Sequence, residues 1–306
     1  MKLIGWAAAM AAMGLAGAAM AQTPPAIAAK IRAAGPAISM TTTADYAAMF
    51  PKEPYPNVTV VRDEHYGPDA LQTLDVFTPQ PKPARPAPVL LFVHGGGFVR
   101  GDKHQAGTPF QDNMMLWATR HGMVGVNIDY RLAPKDPWPA GVDDLASAIA
   151  WTRDHIAQYG GDPNRIFIWG HSAGANHVAD YVGHKELQGA EASGVKGAII
   201  LSAFYPPAVA GPPNPYYGSD PGVQTTDAVI GRLVKTRAQL FVANAEFDPD
   251  GFRAFEKAFD EGLSKAGVAH TYVFLKDHDH LSEGLAVGTA DQSLTGPLLA
   301  WIQGVK

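Results

Sequence analysis

The stretch that decides the fold reads Ile166-Phe167-Ile168-Trp169-Gly170-His171-Ser172-Ala173-Gly174. Its four leading apolar residues predict a buried strand, which the glycine ends. The Gly-x-Ser-x-Gly spacing is typical of a nucleophile elbow, a strand-to-helix turn so tight that the flanking positions must be small and the serine side chain stands out over the end of the sheet. The amides that open the next helix favour negative charge at the same place. An ordinary tight turn can show the same spacing, so the strand before it and the helix after it carry the prediction.

A second glycine-rich turn, His94-Gly95-Gly96-Gly97-Phe98, directly follows the apolar run 89–93. Three consecutive glycines cost backbone entropy and cannot continue a strand, so they indicate that the main chain comes close to a ligand. Successive unhindered amides can hold an oxyanion. A plain flexible turn is the alternative, but it would require neither the strand before it nor the serine elbow downstream.

The remaining chain from about residue 58 alternates short β-branched runs with longer amphipathic stretches, as in a mostly parallel sheet covered by helices. The first two strand candidates alternate apolar and polar residues, as in an antiparallel edge, whereas the later ones are continuously apolar. The predicted strands are 58–61, 73–77, 89–93, 124–129, 166–169, 198–201, 240–243 and 271–275. The predicted helices are 110–121, 142–159, 173–182, 252–266 and 289–303.

Composition supports one globular catalytic domain over residues 22–306. Hydrophobic residues make up 46% of the chain and charged residues 17%, which allows a large core. The formal net charge is -5 and the basic residues are scattered, so the basic stripe of a nucleic-acid binder is missing. The chain has no cysteine, which excludes disulfides, a thiolate nucleophile and thiolate metal sites.

Residues 1–21 have the features of a secretory signal peptide. Lys2 precedes an uncharged stretch rich in Ala, Met, Gly and Leu, and Ala19-Met20-Ala21 puts small residues three and one before a cleavage site. We expect cleavage after Ala21, a periplasmic or secreted protein, and no stable membrane insertion afterwards. An uncleaved anchor is the alternative, which the short, alanine-rich run disfavours.

Two segments are candidates for covering the site. Residues 22–57 are rich in Ala, Pro and Thr and predict a small N-terminal arm or lid. Its expected packing residues are Met40, Tyr46, Met49 and Phe50. The Pro-rich segment 205–221 predicts a loop or lid. The aromatic residues that either line an acyl or alcohol pocket or merely anchor these loops are Phe98, Tyr205, Tyr216 and Tyr217.

Taken together, the motifs resemble a known group of enzymes. The residues that carry the resemblance are 94–98, Asp129-Tyr130-Arg131-Leu132-Ala133-Pro134, Asp144 and 170–174. From about residue 58 onward, the chain is similar to α/β-hydrolase carboxylesterases related to bacterial hormone-sensitive lipases and feruloyl-esterase-like (BD-FAE-like) enzymes. His171, where the lipase branch has an acidic residue, and Ala175, where it often has glycine, favour the feruloyl-esterase-like branch.

The resemblance implies an α/β-hydrolase fold with a mostly parallel eight-stranded sheet flanked by helices. It also implies a Ser, Asp, His triad in that chain order, built on Ser172. The oxyanion hole would consist of the amides of Gly96, Gly97 and Ala173. Arg131 is expected to tie loops together and not to touch substrate.

The triad acid is expected after the seventh strand, where Glu246, Asp248 and Asp250 are available. Asp248 is preferred because it falls a loop's length beyond the predicted strand and because the proline after it resembles the family's Asp-Pro pattern. Asp250 and then Glu246 are the alternatives. The carboxylate would hold the imidazole in the right tautomer and stabilise the imidazolium.

The general base is expected in Asp277-His278-Asp279-His280-Leu281-Ser282, after the last strand. An imidazole titrates near neutrality, so it can take the serine proton and return it to the leaving group. His280 is preferred over His278 because its His-Leu-Ser context is similar to the family's. A metal site in this cluster is the alternative, but it would leave the serine elbow and the triple glycine unexplained. The other histidines, His171 included, are interpreted as surface or packing residues.

These observations predict a serine carboxylesterase that uses an acyl-enzyme and needs no cofactor and no metal. The resemblance implies small-molecule substrates, namely short- to medium-chain esters, including aryl and sugar-borne ones. A lipase, an arylformamidase or a small-peptide hydrolase would use the same triad. A non-catalytic binding protein of the same fold is the rival from another class, but such relatives usually lose the serine, the histidine or the acid.

Overall fold

The computed structural model describes residues 22–188, 194–205, 214–219 and 225–305. The predicted signal peptide, residues 1–21, and most of the predicted Pro-rich loop lie outside the described residues. Eight strands form one sheet in the order β1-β2-β4-β3-β5-β6-β7-β8. They are β1 (Val58–His65), β2 (Thr73–Pro79), β3 (Ala87–Val93), β4 (Val124–Ile128), β5 (Gly161–His171), β6 (Val195–Leu201), β7 (Gln239–Phe247) and β8 (His270–Asp279).

The sheet is mostly parallel, which confirms the predicted architecture. β1 pairs with β2 and β2 pairs with β4 in antiparallel fashion, whereas the pairs from β4 through β8 are parallel. In this antiparallel part only β1 is an edge strand. β2 lies inside the sheet and is buried along nearly its whole length, so the edge position expected for it is wrong. The carboxyl ends of β3 and β5 to β8 meet at one edge, where ligands of open α/β sheets bind.

Apolar side chains fill both faces of the sheet. Along β3, Val89, Leu91 and Val93 enter one buried cluster, while Leu90 and Phe92 enter the other. The run is continuously apolar because helices cover both faces. Burying one such side chain contributes about 1.5–3 kcal/mol, so this double-sided core fixes the sheet and the strand ends that carry the site.

Nine α-helices lie within the described ranges. They are α1 (Pro25–Ala34), α2 (Thr43–Ala47), α3 (Asp112–Arg120), α4 (Ala140–His155), α5 (Ala173–Gly183), α6 (Thr226–Leu233), α7 (Asp250–Lys265), α8 (Ser282–Leu285) and α9 (Thr295–Gly304). In α7, Phe255, Phe259 and Leu263 are buried at four-residue spacing, as in an amphipathic helix. The five predicted helices are present, but the last begins at Thr295 and not at 289. None of the helices in the described ranges combines the length and the apolar character needed to span a bilayer.

The predicted arm is more ordered than its composition indicates. α1 begins with Pro25 and is followed by Gly35 at φ 72°, which are the favoured residues at a helix start and just beyond a helix end. Tyr46 is buried as expected, whereas Met40 and Met49 are 70% and 46% exposed, so their interpretation as packing residues is wrong. Tyr46 instead packs with α1 through Ile27 and Ile31, a pattern that the alanine-rich sequence hides.

Candidate active site

Ser172 occupies a strained turn between β5 and α5. Its φ and ψ are 55° and -123°, a conformation that L-residues rarely adopt. The neighbouring glycines are required by contact: a Cβ at Gly170 would collide with the carbonyl of Gly174, and a Cβ at Gly174 would collide with the carbonyl of Val93. The Ser172 amide donates to the carbonyl of Leu201 at 3.0 Å, which holds the turn against β6. The predicted elbow is therefore present.

A chain of hydrogen bonds links Ser172 to a buried carboxylate. His280 Nε2 lies 2.9 Å from Ser172 Oγ, and His280 Nδ1 lies 2.6 Å from Asp248 Oδ1. A carboxylate only accepts, so the neutral ring carries its hydrogen on Nδ1 and leaves Nε2 free to accept the serine proton. The other oxygen of Asp248 accepts from Ser202 Oγ at 2.7 Å and from the Ala245 amide at 2.9 Å.

The structure separates the preferred residues from their sequence alternatives. Asp250 has an 84% exposed side chain that pairs with Arg253, and Glu246 accepts from the Asp277 amide. His278 is buried, and its Nε2 contacts Thr23 and Asp291. Asp248 does not lie a loop's length beyond its strand, because β7 runs on to Phe247 and Asp248 follows it directly. The expected distance of Asp248 from the strand is therefore wrong, whereas the choice of Asp248 over its alternatives agrees with its position beside His280.

The triple glycine forms a loop beside Ser172. Gly96 and Gly97 have φ values of 129° and 63°, and a Cβ at Gly96 would collide with the carbonyl of Arg100. His94 stacks on Tyr130 with ring centroids 4.4 Å apart, and the Tyr130 hydroxyl donates to the His94 carbonyl at 2.9 Å. Ala173 opens α5, so its amide has no acceptor one turn earlier in the helix.

The loop behind the site is tied together by Arg131, as expected. Its guanidinium contacts the fully buried carboxylate of Asp144 through Nη2 at 2.7 Å and through Nε at 2.9 Å. The Arg131 amide also donates to Asp144, at 2.7 Å. These bonds fix the 129–134 segment to α4 without contact between Arg131 and the cavity.

A cavity of about 700 Å³ opens over Ser172 and His280. We call one side the catalytic wall, which comprises Gly95, Gly96, Gly97, His171, Ser172 and His280. We call the part of the lining contributed by the N-terminal segment the arm wall, which comprises Ile38, Met40 and Thr43. The other lining residues are Arg100, Gly101, Gln105, Phe110, Gln111, Asn113, Met114, Phe252, Leu281, Gly284 and Leu285. The mixed lining can hold a mainly apolar ligand with a few polar groups.

The four aromatic residues considered for the pocket do not line this cavity. Phe98 stacks on Tyr216 with ring centroids 4.8 Å apart, and both rings are buried. Tyr205 and Tyr217 donate hydrogen bonds to the buried carboxylate of Asp180. These side chains anchor loops in the core, which was the second of the two interpretations.

Sequence reasoning missed the place of His171. The residue was interpreted as surface or packing, but it lines the cavity and its Nε2 lies 2.8 Å from the main-chain oxygen of His280. The same nitrogen lies 3.2 Å from Oε1 of the fully buried Glu283. The position of His171 inside the serine motif was a signal, whereas nothing in the sequence pairs residue 171 with residue 283.

Two clusters of side chains among the described residues have the composition of metal sites. In the first, His171, His280 and Glu283 approach one another, but both ring nitrogens of His280 already face Ser172 and Asp248. The second cluster comprises Glu53, His104 and Asp112. Its two carboxylates already bind the guanidinium of Arg62. The side chains of the Asp-His-Asp-His segment contact separate partners, since Asp277 pairs with Arg32 and His278 pairs with Asp291.

A serine elbow, a bonded histidine and a buried carboxylate at the carboxyl edge of this eight-stranded sheet define an α/β-hydrolase. Residues 74–194 match the model of the BD-FAE family. The chain therefore has an α/β-hydrolase fold, and this part of it is similar to the BD-FAE family.

Curated relatives and solved structures agree with this class. The chain is 40% identical to esterase LipC of Mycobacterium tuberculosis over 111 residues, which are 36% of this chain and 27% of LipC. It is 30% identical to esterase LipQ of the same organism over 235 residues, 68% of this chain and 53% of LipQ. These matches therefore span about half or less of the relatives' lengths. Carboxyl esterase 2 of the mycorrhizal fungus Tuber melanosporum superposes with a TM-score of 0.67 at 18% identity, over 93% of this chain and 99% of that one.

Proposed function

We propose that the protein is a serine carboxylesterase. The observation that carries the proposal is the hydrogen-bonded chain from Asp248 through His280 to Ser172, which ends in the 700 Å³ cavity. Ser172 Oγ attacks the ester carbonyl while His280 Nε2 takes its proton, and the protonated ring then gives this proton to the leaving alkoxide. A water molecule activated by the same nitrogen hydrolyses the acyl-enzyme and releases the acid.

The oxyanion of each tetrahedral intermediate binds to the amides of Gly96, Gly97 and Ala173. The two glycines are held in conformations that only glycine adopts easily, and the third amide opens a helix whose dipole favours negative charge. Donors fixed in this way stabilise the transition state by about 3–4 kcal/mol each, because they need no reorganisation during the reaction. Asp248, fully buried and held by Ser202, keeps the tautomer of His280 and stabilises its charged form. The reaction needs no cofactor.

The substrates that we propose are short- to medium-chain esters of small alcohols, including aryl and sugar-borne esters. The cavity supports this range because Phe110, Met114 and Leu285 offer an apolar surface while Arg100 and Gln105 offer polar groups. The names of the relatives, esterase LipC and esterase LipQ, support ester hydrolysis as the reaction.

A fluorophosphonate probe tests the proposal. We expect wild-type protein to be labelled covalently and Ser172→Ala to remain unlabelled. The matched control is Ser147→Ala, which removes a half-buried serine hydroxyl on α4 that does not line the cavity. Equal labelling of wild type and Ser172→Ala would show that Ser172 is not the nucleophile. A chain-length series of aryl esters, run beside acetylated and feruloylated sugars, then tests the substrate range, and a flat response across the panel would contradict it.

We also propose a periplasmic or secreted location, after removal of residues 1–21. The sequence motif of the N-terminus supports this proposal. Cell fractionation followed by N-terminal sequencing of the exported protein checks it, and the expected first residue is Gln22. An intact Met1 in the exported protein would contradict cleavage.

A further inference from the structure

His171 connects the loop of the nucleophile with the residue proposed as the base. It is the last residue of β5, and its ring centroid lies 4.8 Å from that of His280. Its Nε2 lies 2.8 Å from the main-chain oxygen of His280. A Cβ added at Gly95 would lie 3.4 Å from His171 Nδ1, an ordinary van der Waals distance. The ring therefore lies beside both the glycine loop and residue 280.

The contact with the carbonyl fixes the tautomer of His171. A carbonyl oxygen only accepts, so Nε2 carries the hydrogen and Nδ1 is left as an acceptor. Burial, with a smaller effect from nearby His280, lowers the pKa of His171 to about 3, so the ring is neutral near pH 7. His171 has only this one N–H, and it donates it to the main chain of His280.

Glu283 approaches the same nitrogen from helix α8. Its Oε1 lies 3.2 Å from His171 Nε2, and the side chain is fully buried. The titratable groups that face it are His171 from β5, Asp248 from the end of β7, Glu256 from α7, and Asp279 and His280 from the end of β8. Burial, followed by the charge of Asp248, raises the pKa of Glu283 well above its ordinary value. This shift favours the protonated form of the carboxyl.

The protonation of Glu283 matters for His171. An ionised carboxylate is a stronger acceptor than a carbonyl, so it would draw the N–H of His171 away from residue 280. Neither oxygen of Glu283 has a hydrogen-bond partner among the described residues, so the hydrogen of His171 Nε2 stays on the main chain of His280. The arrangement thus favours one position of the His280 backbone, from which Nε2 reaches Ser172 Oγ at 2.9 Å.

We propose that His171 is a positioning residue for His280: its Nε2–H bond to the main-chain carbonyl keeps the base within reach of Ser172. The inference rests on the proposed function, because positioning matters only if His280 accepts the serine proton. His171 itself is not required to touch the reacting atoms.

Two substitutions at position 171 test the bond. His171→Phe keeps a ring of similar size and removes the donor, whereas His171→Gln restores an amide N–H near the place of Nε2. We expect kcat for an aryl acetate to fall about 10- to 100-fold in the Phe variant, as for a catalytic group displaced by up to 1 Å, with KM within about 3-fold of wild type. The Gln variant should recover most of this loss. The control is His155→Phe, at an exposed helix position.

Several outcomes overturn the inference while leaving the esterase intact. A wild-type kcat in His171→Phe, or a Gln variant as slow as the Phe variant in a protein with an unchanged circular dichroism spectrum, shows that the donor does not position the base. If the Phe variant does not fold, the Gln variant decides, and a loss as large as 100-fold overturns the proposal. A wild-type protein that neither hydrolyses esters nor takes the fluorophosphonate label would instead overturn the proposed function.

Glu283→Gln tests whether Glu283 carries a charge, because glutamine has the shape of a protonated carboxyl and never ionises. Since burial favours the protonated form, the acidic limb of the kcat/KM profile should stay in place. A carboxylate beside an imidazole raises the pKa of the ring, so removal of a real charge would move this limb to lower pH by about one unit or more. Such a shift would show that Glu283 carries a negative charge, and it would overturn the expectation that its carboxyl is protonated.

Discussion

The catalytic wall and the arm wall face the same cavity, but the chain builds them differently. Ser172, Asp248 and His280 each directly follow the last residue of a strand, β5, β7 and β8, so the parallel core places them together. The arm wall comes from residues nearly 130 positions before Ser172 and is held by scattered side-chain contacts. The residues proposed for the chemistry therefore lie in short motifs at the strand ends of the core. The boundary of the cavity depends instead on long-range contacts of the N-terminal arm.

Long-range contacts hold the arm against the same strand ends. Thr23 Oγ1 lies 2.9 Å from His278 Nε2 and donates to Asp291 Oδ2 at 2.9 Å. The Ala37 amide donates to the carbonyl of Phe247 at 3.2 Å. Ala37 directly precedes Ile38 of the arm wall, and Phe247 directly precedes Asp248. The N-terminal arm is therefore attached next to the residues of the proposed triad, and substitutions can disturb the two walls separately.

The largest expected effect lies in the catalytic wall. Asp248→Asn should reduce kcat about 10⁴-fold, because an amide in this place can hold His280 in the wrong tautomer. Asp250→Asn, at an exposed carboxylate two residues away, should stay within about twofold of wild type. Steady-state kinetics on an aryl acetate measures both. Comparable losses in the two variants would remove Asp248 from its proposed role.

The next effect concerns the glycine loop. Gly96→Ala should lower kcat about 10²- to 10³-fold, because the Cβ collides with the carbonyl of Arg100 and the loop must move its amide away from the oxyanion. Gly122→Ala is the matched control, since Gly122 also has a positive φ, 75°, but has open space around its Cβ position. It should cost only about 1 kcal/mol of stability. Full activity in Gly96→Ala would argue against an oxyanion hole at this loop.

The sequence predicted the catalytic wall better than the arm wall for a physical reason. The elbow and the triple glycine are dictated by local collisions, such as that between Gly170 and Gly174, and local constraints leave local patterns. The strands were predictable because each contains a short β-branched or apolar run, and these runs are continuously apolar and buried in β3, β5, β6 and β7. The helices α1, α2, α6 and α8 were missed. The contacts of His171 with Glu283 and of Thr23 with Asp291 join residues more than 100 positions apart, where no pattern in a single sequence pairs them.

A third prediction concerns the attachment of the arm. Burial alone would raise the pKa of Asp291, but hydrogen bonds and charge from His278, with help from Ser293, outweigh it and lower the pKa from 3.8 to about 2. Because the pKa of Asp291 is lower in the native state than in the unfolded state, the ionised carboxylate stabilises the native state above about pH 3.8. This stabilisation is lost as the pH falls towards 2. Asp291→Asn should therefore be less stable than wild type by about 2 kcal/mol near pH 6, and the difference should shrink below pH 4.

Denaturant unfolding between pH 3 and pH 6 measures this difference. Asp250→Asn serves again as control, because its carboxylate is exposed and should give a flat, small difference over the same range. A pH-independent loss in Asp291→Asn would mean that packing, and not the charge of Asp291, attaches the arm.

The smallest expected effect tests the arm wall itself. Ile38 and Met40 are 55% and 70% exposed at the cavity, so their replacement by serine should change the free energy of unfolding by less than about 0.5 kcal/mol. Contact of either side chain with roughly 40 Å² of an apolar acyl or aryl group is worth about 1 kcal/mol, or about fivefold in kcat/KM. Ile38→Ser and Met40→Ser should therefore lower kcat/KM for a bulky ester about fivefold and leave kcat/KM for an acetyl ester nearly unchanged.

The matched control is Met49→Ser, which replaces an exposed arm methionine that does not line the cavity. It should change kcat/KM for neither ester. Equal losses on the bulky and the acetyl ester, or a Met49→Ser variant that behaves like Met40→Ser, would show that the arm supports the fold without selecting the substrate.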